Sequence, residues 1–170
     1  MERELHFSAA LDHPNVVRTF GIEHAEGSWY LVMEDLEGET LQDRLDREGR
    51  LPYPAACKLI GDAALGLGHL HDRFVVHRDV QPANFWITPD GRVKVMELGA
   101  VRNALTALKE KEADDATVTS YGAVLGVYDY MAPEQANDPH TADHRSDIYA
   151  LGCTLYHCLA GRPPFVDKDP

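Results

Sequence analysis

Eight consecutive residues, His77-Arg78-Asp79-Val80-Gln81-Pro82-Ala83-Asn84, set a carboxylate and a carboxamide close together, and a second carboxylate, Glu97, follows. An aspartate on a loop can take the proton of a hydroxyl nucleophile. The oxygens of Asn84 and Glu97 are hard donors of the kind that hold a magnesium ion, which in turn holds phosphates. Three such groups act together only if the chain folds them around one point, and the flanking patterns supply the means. An apolar helical run, Leu59 to Leu70, leads into the octet. An alternating pattern, Phe85 to Ile87 and Val93 to Met96, follows it, interrupted by the tight-turn sequence Thr88-Pro89-Asp90-Gly91. Helix, polar loop and short hairpin are the expected support.

The octet resembles the H-R-D-x-x-x-x-N catalytic loop of protein kinases. Tyr130-Met131-Ala132-Pro133-Glu134-Gln135 is similar to the family's A-P-E segment. Asp147-Ile148-Tyr149-Ala150-Leu151-Gly152 resembles the start of its central helix, and Gly161-Arg162-Pro163-Pro164-Phe165 follows as in bacterial eukaryotic-type serine/threonine kinases. The order of the segments is the family's order. The resemblance implies an α+β, protein-kinase-like fold, mainly the helical large lobe together with the end of the small lobe's C helix and the hairpin after it. It implies residues 1–36 as a remnant of small lobe and hinge, and 37–170 as a large lobe lacking its last helices. By the family's size the chain is expected to be truncated at both ends.

The same resemblance assigns roles. Asp79, Gln81 and Asn84 fall at catalytic positions, and Asn84 and Glu97 at the Mg²⁺ positions. Met33, Glu34, Leu36 and Trp86 fall around the adenine of ATP, and Glu4 at the C-helix glutamate. Arg78 falls where a phosphate on the activation segment is read, with Thr117, Thr119 and Ser120 as candidate phosphate acceptors. The implied activity is ATP-dependent phosphoryl transfer to protein Ser/Thr hydroxyls. Three positions depart from the pattern. Glu97 replaces an aspartate, and its extra methylene moves the oxygens by about 1 Å, a displacement that can cost roughly 10²-fold in rate. Gln81 replaces a lysine, and Val127 replaces the threonine that pairs with it. No Gly-rich phosphate loop and no strand lysine precede Glu4. A catalytically impaired pseudokinase serving as a binding or regulatory module, or a non-functional gene fragment, is the alternative.

A chain of 170 residues, 44% hydrophobic, can bury one core. Its net charge of −12 argues against nucleic acid as a partner. A protein substrate or regulatory protein is the expected partner. Cys57, Cys153 and Cys158 form no C-x-x-C pair and are read as buried free thiols in a reducing, cytoplasmic setting. No apolar run is long enough to span a membrane. His140 and His144 share a helical spacing without a third ligand beside them.

Elsewhere the pattern predicts strands over Val16–Ile22 and Trp29–Met33 joined by a polar turn. It predicts helices over Thr40–Glu48, Ala55–Arg73 and residues 146–160, with Gly49 to Pro54 as a break. Gly66-Leu67-Gly68 reads as close helix packing. Glu134 is expected to be a half-buried carboxylate without the arginine of a late helix that pairs with it in the family, and Ser8 and Thr19 stand at positions usually apolar in the family.

Overall fold

The computed structural model describes residues 12–25, 28–96, 127–138 and 141–165. Two antiparallel strands come first, β1 (Thr19–Ala25) and β2 (Ser28–Met33), in a register that runs from Thr19 opposite Met33 to Ala25 opposite Ser28. The hairpin is longer than the alternation suggests. Glu23, His24 and Ala25 read as turn in the sequence, but their main chains complete the ladder, whereas Val16 makes only an isolated bridge to Val95.

Helix α1 (Leu41–Glu48) starts where the sequence places it, because Thr40 and Asp43 cap it reciprocally. The Thr40 hydroxyl accepts from the Asp43 N–H at 3.0 Å, and the Asp43 carboxylate accepts from the Thr40 N–H at 3.1 Å. Helix α2 runs from Tyr53 to His71. Its start corrects the expected break at Pro54. A proline in the first turn lacks only an N–H that would have no helical partner, so the helix includes it. Helices α3 (Pro133–Asn137) and α4 (His144–Ala160) follow, the latter capped by Asp143 and closed by Gly161 at φ +74°. A three-stranded sheet of β3 (Glu39–Thr40), β4 (Phe85–Ile87) and β5 (Val93–Val95) runs in the order β3-β4-β5.

The core gathers where α2 passes between β5 and α4. Leu59, Leu67 and Leu70 of α2 meet Leu41, Leu45, Phe85, Val95 and Cys158, all nearly sealed from solvent. Cys153 and Cys158 are buried, as read from the sequence. Cys57 is not: it stands half-exposed near the start of α2, and all three are free thiols. Among the described residues no helix is long and apolar enough to cross a membrane.

Asn15 joins the first segment to this core. Its side-chain amide donates to the Val93 carbonyl at 2.8 Å, and its own carbonyl accepts from the Val95 N–H at 2.9 Å. Gly66 of α2 lies under that carbonyl: a Cβ there would stand 2.3 Å from Asn15 O and 2.8 Å from a Val95 methyl. The close packing read from Gly66-Leu67-Gly68 is thus specific to Gly66, since a Cβ at Gly68 meets nothing within 4 Å. Gly66→Ala is expected to cost roughly 1–3 kcal/mol through a forced backbone shift. Gly61→Ala, on the open face of the same helix, should be neutral or stabilising by up to about 1 kcal/mol. Paired urea unfolding curves of the two variants measure the contrast, and equal stabilities would contradict this packing.

Candidate functional site

The loop between α2 and β4 carries Asp79, and two of its non-glycine residues, Phe74 (φ +60°) and Arg78, adopt a positive φ. Arg78 has φ +66°, in the left-handed region that a non-glycine residue seldom occupies. What holds it there is Asp147, in the first turn of α4 and only 1% exposed. One carboxylate oxygen, Oδ1, accepts from the Arg78 N–H at 2.8 Å. The other, Oδ2, accepts from the His77 N–H at 2.8 Å and from Nε2 of His71, at the end of α2, at 2.8 Å. A buried carboxylate needs donors, and three converge here.

His77 is sealed in the interior beside it. Its Nε2 donates to the Met96 carbonyl at 2.7 Å, and its Nδ1 accepts from the Asp79 N–H at 3.2 Å. These partners fix the tautomer with the proton on Nε2. The Arg78 carbonyl accepts from the side-chain amide of Gln135 in α3 at 2.8 Å, which ties the A-P-E segment to the same loop.

Asp79 is oriented by two neutral amides. Gln81 Nε2 donates to Oδ1 at 2.8 Å; Asn84 Nδ2 donates to Oδ2 at 3.1 Å and to the Asp79 carbonyl at 2.7 Å. Asn84 sits in the short 3₁₀ turn Pro82–Asn84, and its main-chain carbonyl accepts from the Met96 N–H at 2.8 Å. With Nδ2 facing Asp79, Oδ1 of Asn84 is the atom left for a cation, and no described donor engages it.

A cleft of about 510 Å³ opens nearby, lined by Leu31, Met33, Glu34, Leu36, Trp86 and Met96 among others. It brings together all four residues that the sequence assigns around adenine, apart from Glu4. Among the described residues no hydrogen bond engages the main chain of Asp35 or Leu36 at its edge, so those groups can meet the edge of a planar base. Apolar walls, open main-chain groups and an oxygen donor beside a carboxylate fit a nucleotide with its cation. The Glu34 carboxylate is taken up by Arg18 and Lys94. Burial works against its ionisation, but the Lys94 ammonium at 2.7 Å and the Arg18 N–H at 2.7 Å outweigh that and hold its pKa below the ordinary value.

Glu4, Glu97, Thr117, Thr119, Ser120, Ser8 and His140 lie outside the described residues. Thr19 is buried in β1 opposite Met33. Glu134 needs correction: it is exposed, and its carboxylate accepts from the Ser146 hydroxyl at 3.0 Å, so a partner from α4 takes the place of the expected absent one. Sequence reasoning quoted Asp147 as part of a motif without giving it a role. A lone acid inside an apolar helix, which must find buried donors, was the available signal. It likewise quoted Tyr130 without a role; its hydroxyl meets His157 Nδ1 of α4 at 2.7 Å in the interior.

The sequence model of the protein kinase domain family matches residues 1–170. The chain is 40% identical over 172 residues to the serine/threonine-protein kinase PknB of Mycobacterium leprae, covering 99% of this chain and 26% of that protein. PknB of Mycobacterium tuberculosis is 39% identical over 173 residues, with the same shares covered. The serine/threonine-protein kinase PrkC of Bacillus subtilis is 36% identical over 163 residues, 96% of this chain and 24% of that protein. The chain therefore spans about a quarter of the length of these relatives.

Asp147→Ala would strand the His77 and Arg78 N–H groups and the His71 ring nitrogen without their acceptor. The expected loss is roughly 2–5 kcal/mol by denaturant unfolding; a loss under about 0.5 kcal/mol would show the carboxylate to be dispensable. A pH dependence follows from His157, whose pKa burial lowers from 6.5 against the opposing pull of Asp46 and Asp129. The unfolded chain then binds the extra proton first, so stability is present above pH 6.5 and falls as pH drops toward the lowered native value. His157→Gln should flatten the melting temperature between pH 7.5 and 5.5 relative to the parent, and an unchanged slope would exclude this group as a source.

Proposed function

The chain belongs to the protein kinase family, on its serine/threonine side, and on that premise we propose that it moves the γ-phosphoryl group of ATP to a serine or threonine hydroxyl of a protein substrate. The observation that carries this reading is the double pinning of Asp79 by Gln81 and Asn84 on a loop clamped by Asp147. On this reading residues 1–36 form the hinge and part of the small lobe, and 37–170 the large lobe.

Asp79 takes the proton of the incoming hydroxyl; the oxygen bonds to the γ-phosphorus while the bond to the β–γ bridging oxygen breaks and ADP leaves. Asn84, with Glu97, would hold Mg²⁺, which when bound neutralises charge on the phosphates. Gln81 positions Asp79 through its amide but brings no charge to the transferring group. Arg78, exposed at the loop surface, has no carboxylate partner among the described residues and suits a phosphate on Thr117, Thr119 or Ser120.

Transfer is tested with γ-labelled ATP, Mg²⁺ and a degenerate library of Ser- and Thr-containing peptides. The parent should label them, and Asp79→Asn should lower the rate by roughly 10²–10⁴-fold while nucleotide still binds. Gln81→Lys should raise it by about tenfold or more by placing a cation near the phosphoryl group. Nucleotide binding without any labelling, in the parent and in Gln81→Lys, would leave a binding module in place of a transferase.

A further inference from the structure

Two imidazole rings face one another where the segment before β1 crosses α2. His13, in the turn that leads to Asn15, and His69, in the last turn of α2, stack with ring centroids 4.6 Å apart and planes 30° from parallel. Each ring has one nitrogen committed as an acceptor. His13 Nδ1 accepts from the Asn15 N–H at 3.1 Å. Arg73 Nη1, one turn on, donates at 3.1 Å both to His69 Nδ1 and to the His69 carbonyl. A guanidinium can only donate, so His69 Nδ1 carries a lone pair and the neutral ring keeps its proton on Nε2. That nitrogen is buried, and among the described residues nothing accepts from it.

A second proton on His69 cannot be taken up without breaking this joint. It would sit on Nδ1, where Arg73 now donates, and place a cation beside a fixed cation and against the His13 ring. The charged and titratable groups that act on His69 come from both sides of the joint: Arg73 and Asp72 just past the end of α2, His13 and Asp12 from the segment before β1. Burial, then Arg73 and His13, push its pKa below the ordinary 6.5, and the two aspartates pull the other way without prevailing. An opened ring in water regains the ordinary value, so protonation and opening are linked. Closure is favoured in full above pH 6.5 and weakens as pH falls toward the lowered value.

What hangs on the joint is the path from the core to the cleft. The His13 carbonyl accepts from the Val16 N–H at 3.0 Å, the Val95 carbonyl from the Val17 N–H at 3.0 Å, and the Asn15 carbonyl from the Val95 N–H at 2.9 Å. Strand β1 begins at Thr19, and its partner β2 supplies Leu31 and Met33 to the cleft wall. We propose that the His13–His69 stack is an acid-released latch: one proton on His69 loosens residues 12–17 from α2 and β5, and with them the hairpin that walls one side of the cleft. The latch uses none of the groups assigned to phosphoryl transfer, so it stands whether or not that reading holds.

Site-resolved amide exchange on the full chain tests it, read as protection factors so that the intrinsic pH dependence of exchange drops out. Between pH 7.5 and 5.5 the Val17 and Val95 amides should lose about three- to tenfold more protection than Leu70 of α2, which reports opening of the core. His69→Phe keeps a ring to stack on His13 but takes no proton. It should hold both amides at their pH 7.5 protection and remove the difference. Arg73→Leu guards against a phenylalanine variant that fails to fold. With the guanidinium gone, the His69 ring should titrate at higher pH in NMR spectra than in the parent, and the extra loss at Val17 and Val95 should shrink. An equal loss at Val17, Val95 and Leu70 in the parent, the same extra loss in His69→Phe, or an unmoved His69 titration in Arg73→Leu would each overturn the latch.

Discussion

One carboxylate, Asp147, stands between helix α4 and the loop that carries Asp79 and accepts three hydrogen bonds in the interior. An unpaired charge in that position would be strongly destabilising, so the carboxylate forms only in a fold that delivers its donors. Two of the donors are main-chain N–H groups of His77 and Arg78, and meeting both requires the left-handed turn at Arg78. The strain of that residue and the burial of that charge thus offset one another: neither is favourable alone, and together they define one loop conformation. Asp79 follows directly, and its orientation is inherited from the clamp.

From this point the constraint spreads along the chain by short steps. His77 reaches the Met96 carbonyl, and the Met96 N–H reaches the Asn84 carbonyl, so both sides of the loop are fastened to the end of β5. Met96 also lines the cleft that Trp86 and Met33 share. Val93 and Val95 of β5 hold Asn15 and, through it, the segment that leads into β1. The loop that carries Asp79 and the cleft that Trp86 lines therefore hang from one residue, Met96, just past β5. That economy explains why Gly66, far from either, has no room for a side chain: it sits where helix, strand and Asn15 converge.

Much of this was legible in the sequence, in uneven measure. Capping chemistry places α1 to within a residue, because Thr40 and Asp43 signal it locally. The helix and hairpin around the octet follow from periodicity, and the octet itself names Asp79 and Asn84. The hairpin β1–β2 is longer than read, since Glu23 and His24 look like turn residues but obey the pairing of their partners. Tertiary context overrides local preference there. Pro54 misleads for the opposite reason: its rule as a breaker does not hold in a first turn. Cys57 is half-exposed although the residues around it in α2 follow an apolar helical pattern. Hydrogen bonds between residues distant in sequence, such as Trp86 to Glu37 or Glu134 to Ser146, leave no periodic trace and emerge only in the fold.

The account stands on the clamp, and amide hydrogen exchange resolved at single residues measures it directly. Although they belong to a polar loop, the N–H groups of His77 and Arg78 are expected to exchange as slowly as those of Leu67 and Leu70 in the core helix, since their release requires opening a buried carboxylate. In Asp147→Asn both should exchange faster than the helix. Rapid exchange of these two amides in the parent protein, with α2 still protected, would mean that Asp147 does not hold the loop and that the positioning of Asp79 has another origin.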